Sequence, residues 1–153
     1  MQGTATDASA PRGGSRTLAL LKPGVVRAGR LPELLAALAV NFELSALRMI
    51  RLRPATVAAL YVEHVDQPWF ADVVAHLTSG PCVAVVCVHA EGDAPQRLTR
   101  LVGFVDPRRA APETLRARFG ETTERNAIHS SESSADAARE IALLFGDDPL
   151  PSV

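Results

Sequence analysis

His129 stands in the stretch Arg125-Asn-Ala-Ile-His-Ser-Ser-Glu-Ser133, just after an apolar pair and just before residues able to open a helix. A large neutral fraction of imidazole exists near pH 7, so histidine is a good nucleophile there. A phosphoryl group on an imidazole nitrogen stays energetic enough to be passed on, which suits reversible group transfer. Glu140 follows eleven residues later. On a helix packed beside the histidine it can hold the non-attacking ring nitrogen or a hydroxyl partner of that nitrogen, the logic of an activated nucleophile with an orienting group. Ser131 is the candidate intermediary. Lys22 ends an apolar run and precedes Pro23-Gly24, where an ammonium can reach a phosphate as a point charge. Guanidinium forks match phosphate oxygens, which makes Arg116 of the stretch 103–123 a candidate, while Arg108 and Arg109 read as solvated loop residues. His64, His76 and His89 read as structural: a turn, an exposed helix position and a strand end.

Other chemistries are absent from the sequence. There is no Gly-x-x-x-x-Gly-Lys-Ser/Thr phosphate loop, no Gly-x-Gly-x-x-Gly, and no His-x-x-x-His or Cys-x-x-Cys metal spacing. The formal net charge of -1 gives no basic excess for nucleic acid. No stretch approaches the ~18 apolar residues of a membrane-spanning helix, and the start of the chain has no apolar signal core. A cytoplasmic protein is expected. Cys82 and Cys87 lie five apart in one apolar run, so on a strand their thiols face opposite ways and neither bridge nor share a metal.

The elements that must position these residues follow from periodicity. Residues 1–15, rich in Gly, Ala, Ser, Thr and Pro, read as a disordered leader. A domain is expected over 16–146 and a tail over 147–153. Residues 17–21 form a short apolar strand that Lys22-Pro23-Gly24 stops. Leu31, Leu34, Leu35 and Leu38 share a helix face within 29–40. Residues 42–52 alternate as a second strand, with Arg48, Arg51 and Arg53 facing water. Pro54 opens a helix, residues 64–68 turn, and residues 69–77 return to helical spacing. Residues 82–88 are apolar throughout, as in a central strand buried on both faces. A short helix is expected over 95–102, then a long loop over 103–123, a short strand at 126–129, and a last helix capped by Ser133 with Ala137, Ile141 and Leu144 buried. This order, β-α-β-α-α-β-α-loop-β-α, fits an α+β fold: a ferredoxin-like split βαβ sandwich, its four-stranded antiparallel sheet covered by helices.

From about Thr17 to Phe145 the chain resembles the nucleoside diphosphate kinase family. The resemblance rests on Leu20-Leu-Lys-Pro23, Gly29 with Glu33, Tyr61-Val-Glu-His-Val-Asp-Gln-Pro-Trp-Phe70, Ser79-Gly-Pro81, Thr114-Leu-Arg116, the Asn-x-x-His-x-Ser piece at Asn126, and Glu140-Ile141. It implies a ping-pong phosphotransferase: a nucleoside triphosphate such as ATP or GTP gives its γ-phosphoryl to His129, and a nucleoside diphosphate takes it. By the same resemblance Lys22 meets nucleotide hydroxyls and phosphate, and Tyr61 packs beside the histidine. Trp69 stands where a phenylalanine stacks on the base, Arg116 binds phosphate, Asn126 contacts the sugar, and Ser131 and Glu140 orient the imidazole. Mg²⁺ is implied, held by the nucleotide phosphates rather than by protein ligands. A homo-oligomer is implied as well.

The departures cluster on the phosphate side. Thr99 stands at a position where the family commonly has arginine, with Arg100 one residue later as its replacement. Val105 stands for a threonine, Glu124 and Ser130 for glycines, and Gly24 for an acidic residue. Two further readings therefore stand beside the first: a specialised paralogue acting on an unusual nucleotide, and a weakly catalytic nucleotide-binding or scaffold module.

Overall fold

The structure, a computed structural model, describes residues 14–146. Four strands, β1 (Ser15–Leu21), β2 (Glu43–Ile50), β3 (Cys82–His89) and β4 (Ile128–Ser130), form one antiparallel sheet in the order β2-β3-β1-β4. β1 lies between β3 and β4, with Leu20 opposite Ala84 on one side and His129 on the other. Each split βαβ unit therefore embraces a strand of the other, the ferredoxin-like arrangement.

Alternation along β1 and β3 divides the core in two. Ala19, Leu21, Val83 and Val85 pack against Leu34 and Leu38 of α2 (Leu31–Asn41) and Leu98 and Val102 of α5 (Ala94–Val102). On the other face Leu18, Leu20, Ala84 and Val86 meet α3 (Pro54–Leu60), α4 (Phe70–Leu77) and α7 (Ser134–Phe145). Cys82 and Cys87 fall on opposite faces, both free and buried, and burial pushes both thiols up to about 12.

Several expectations needed correction. Lys22-Pro23-Gly24 ends β1, yet it also opens a helix: α1 (Pro23–Arg27) carries Pro23 at its first turn, where the missing N–H costs nothing. The stretch 103–123 contains α6 (Leu115–Phe119), which is shorter than two turns and shows no periodicity to read. In β2 a bulge between Leu44 and Ala46 shifts the alternation by one residue, so Leu47 and Met49 are left more than half exposed on an edge strand. His76 is not exposed; it is buried on α4. The expected leader and tail lie outside the described residues, apart from Gly14 and Ser15, and Ser15 already pairs with His89 in β1.

One glycine fixes the long connection. Gly103 has φ +90°, and a Cβ there would stand 2.4 Å from Thr114 Oγ1. Gly103→Ala is expected to cost about 3 kcal/mol through left-handed strain and overlap, read as a drop in the denaturation midpoint.

Candidate active site

β4 is only three residues long, and its position is set at both ends by backbone bonds. The Lys22 N–H donates to the Ala127 carbonyl at 2.9 Å, and the Ser131 N–H donates to the Leu18 carbonyl at 3.1 Å. Between Asn126 and Ile128 the chain makes a tight turn: the Ile128 N–H reaches the Asn126 carbonyl at 2.9 Å, with Ala127 at φ +74°. This is a γ-turn of the strained, positive-φ kind. It buries Asn126 and lets His129 point to the face covered by α3 and α7.

The His129 Nε2 lies 3.1 Å from Glu140 Oε1. Ser131, fully buried, donates its hydroxyl to the other oxygen of the same carboxylate. A carboxylate accepts only, so the Nε2 carries the hydrogen and the Nδ1 keeps its lone pair. Glu140 is buried on α7, whose start is capped by the Ser133 hydroxyl accepting from the Asp136 N–H. The Tyr61 ring stands 5.2 Å from the imidazole, centre to centre. Burial holds its phenol protonated, well above the usual tyrosine range.

Lys22 is buried at the end of β1. Its Nζ donates to Asn126 Oδ1 at 2.6 Å and to the Glu124 carbonyl at 3.2 Å. Burial, reinforced by the Arg116 charge, lowers its pKa to about 7. Asn126 is engaged at both ends, since its Nδ2 donates to the Val105 carbonyl at 3.0 Å. Arg116 gives Nη1 to the Gly103 carbonyl and Nη2 to the Ile128 carbonyl, stitching the long connection to β4. A guanidinium has five N–H donors, so this bracing leaves others for a ligand.

These side chains surround one cavity of about 460 Å³. Its walls include Lys22, Tyr61, Trp69, Arg116, Asn126, His129 and Glu140, while Ser131 supports Glu140 from behind. Arg100 is not brought in. Leu98 and Val102 of α5 face the core, Thr99 turns toward the cavity, and Arg100, a further ~100° round the helix, stays exposed.

Several wall residues, Arg139, His64, Thr123, Glu63 and Glu132 among them, were not placed in the site by the sequence. Arg139 donates to the Ala59 carbonyl at 2.7 Å and lies 3.7 Å from Glu140 Oε1. Its spacing from Asp136 on one helix face was a signal available in the sequence. His64 lies 5.4 Å from the Trp69 ring, and Thr123 lines the same wall; neither spacing carries a periodic signal.

The buried Lys22 and His76 make stability depend on pH. Lys22 is charged in the unfolded chain up to about 10.5 and in the folded chain only up to about 7. The unfolded state thus holds the extra proton between those values, and stability is expected to rise with pH across that window. His76, held at about 4 by burial and by the Lys22, Arg125 and Arg27 charges, stays neutral while its unfolded counterpart protonates near 6.5. Stability should therefore fall as pH drops from 6.5 to 4. Urea denaturation at a series of pH values checks both slopes, and Lys22→Met should flatten the alkaline one.

The family model described as nucleoside diphosphate kinase matches residues 15–150. A nucleoside diphosphate kinase of Moorella thermoacetica is 44% identical over 132 residues, covering 85% of this chain and 93% of that protein. One from Deinococcus radiodurans is 37% identical over 138 residues, covering 90% and 99%. Among solved structures, a halophilic nucleoside diphosphate kinase from Halobacterium salinarum in complex with CDP superposes with a TM-score of 0.86 at 33% identity, covering 92% of this chain and 93% of that one. The Aquifex aeolicus enzyme gives 0.83 at 33%, covering 91% and 100%.

Proposed function

The chain belongs to the nucleoside diphosphate kinase family, and from that membership we propose how its residues divide the transfer of a γ-phosphoryl group from a nucleoside triphosphate to a nucleoside diphosphate. The observation that carries the reading is the His129–Glu140–Ser131 relay opening into a nucleotide-sized cavity. The His129 Nδ1 attacks the γ-phosphorus, the bond to the bridging oxygen breaks, and the diphosphate leaves. Glu140 holds the Nε2 hydrogen and stabilises the positive charge that builds on the ring, the part an orienting carboxylate plays beside a histidine. The acceptor diphosphate then takes the phosphoryl from the same nitrogen.

Lys22 and the unused donors of Arg116 neutralise charge on the transferring group, which is where most catalysis of phosphoryl transfer lies. Trp69, flanked by His64, offers an indole face for the base. Asn126 reaches the sugar while clamping Lys22. Mg²⁺ fits as a guest of the nucleotide: among the described residues no group of three or more His, Cys, Asp or Glu forms a cage. Glu63 and Glu132 line the cavity singly and would take up water of the ion's shell. The ion supplies charge neutralisation on the phosphates. ATP and GTP are the proposed donors. The exposed Leu47 and Met49 on the edge strand β2 support a homo-oligomer. No helix among the described residues is long and apolar enough to cross a membrane, and a cytoplasmic location is proposed.

Incubation with γ-labelled ATP and Mg²⁺ tests the assignment. An acid-labile, base-stable label is expected on the protein and should chase onto added diphosphates. Undiminished label on His129→Ala would sink it. A panel of diphosphates separates a broad acceptor range from the specialised alternative raised by Thr99, Val105 and Glu124.

A further inference from the structure

A second cavity, of about 340 Å³, shares the Glu124 wall with the first. His76 forms part of it from α4. The residue as a whole is buried, but its ring nitrogens are not among the fully buried unpartnered atoms, and neither has a hydrogen-bond partner among the described residues. A ring nitrogen that opens onto a cavity without a protein partner is free to bond a ligand there. The absence of a side chain at Gly24 lets the ring lie against α1, with the His76 Cε1 3.3 Å from where a Cβ would be.

Two guanidiniums flank that ring. Arg27 is fixed by the Ser79 hydroxyl at 3.0 Å, and the Ser79 hydroxyl is in turn anchored on the His76 carbonyl at 2.6 Å. The Arg125 guanidinium has no hydrogen bond or ion pair among the described residues. The carboxylates of Asp72 and Glu124 also line the cavity. Neither figures among the charges that act on the imidazole, which are those of Lys22, Arg125 and Arg27, all positive. Glu124 acts instead on Lys22, as does the buried Cys82 thiol. Asp72 sits one turn before His76 and is exposed. The charges that bear on the ring are therefore those of cations.

We propose that this second cavity binds a phosphate-class oxyanion, held by the Arg27 and Arg125 guanidiniums and the His76 ring. Guanidinium forks and an imidazole N–H are the donors such an anion selects. Its source is free phosphate or the phosphate group of a small metabolite. The site is coupled to the first cavity, because the Lys22 charge is felt at His76 and the Lys22 ammonium rests on the Glu124 carbonyl. An anion there favours the charged form of Lys22. By reciprocity, nucleotide binding that requires the Lys22 ammonium strengthens the anion's hold.

The test uses the full chain with its first cavity filled by a nucleoside diphosphate. Inorganic phosphate is titrated at constant ionic strength against chloride, and the ring-proton resonances of His76 and His129 are followed by NMR. The expected result is a saturable shift of His76, with its titration midpoint moving up from about 4 toward 5. Arg125→Gln should weaken the binding about tenfold, and Asp72→Asn should strengthen it. A phosphate effect confined to His129, or a His76 shift unchanged in Arg125→Gln, overturns the proposal. Repeating the titration with a sugar phosphate in place of inorganic phosphate tells which source fits better; either binding supports the site, and binding of neither overturns it.

Discussion

Replacing His129 with glutamine is expected to lower phosphoryl transfer by on the order of 10⁴-fold or more, because the covalent route disappears with the nucleophile. Glutamine keeps an N–H within reach of Glu140, so the buried carboxylate is not left without a partner, and the thermal midpoint should stay within a few degrees of wild type. A coupled assay for triphosphate formation gives the rate, and acid-labile labelling gives the intermediate. Residual activity near one per cent would mean that another group carries the phosphoryl. The contrast with Glu140→Ala is informative. That change strips Ser131 and His129 of their shared acceptor and leaves the ring free to rotate. It should cost roughly 10²-fold in rate and also lower stability, since a buried hydroxyl loses its partner.

Lys22→Gln is expected to reduce kcat/KM by roughly 10–150-fold, the effect of losing ~1.5–3 kcal/mol of charged hydrogen bonding in the transition state. The wild-type pH profile carries a sharper signature. With Lys22 at about 7, kcat/KM, which reports on the free enzyme, should fall as pH rises through about 7. Bound phosphates favour the ammonium, so the corresponding limb of kcat should lie at higher pH. Lys22→Gln should remove this limb from both profiles. If the variant keeps the wild-type limb, the ionisation belongs to another group.

Much of this arrangement was legible in the residues, and the parts that were not have identifiable causes. The strands β1 and β3 announce themselves as apolar runs because both of their faces are buried. The Asn-x-x-His-x-Ser spacing places a short strand, a turn and a capped helix in sequence, and the helix returns Glu140 to the histidine. Local pattern carries that information. Pattern failed where one residue does two jobs, as at Lys22-Pro23, which stops a strand and starts a helix. It failed in β2, where a single bulge reverses the alternation, so Leu47 and Met49 face outward. His76 was misjudged because an exposed and a buried histidine look alike on a short helix; what buries it is α1, some fifty residues earlier in the chain. Arg100 was misplaced by the ~100° that separates neighbours on a helix. The bracing role of Arg116 depends on two carbonyls that no side-chain pattern encodes.

The contacts that assemble the catalytic cavity are among the longest in the chain. Lys22 meets Asn126 across 104 residues, and His129 of β4 pairs opposite Leu20 of β1. Closing such separations is slow and comes late in folding. A chain emerging from the ribosome has its N-terminal strand long before it has anything for Lys22 to hold. Nucleotide handling therefore cannot begin before Asn126, His129 and α7 have been made. An unpaired Lys22 in an incomplete domain stays hydrated and charged, and burial becomes tolerable only when the Asn126 turn closes over it. The site is incomplete until α7 docks against β1 and brings Glu140 to His129.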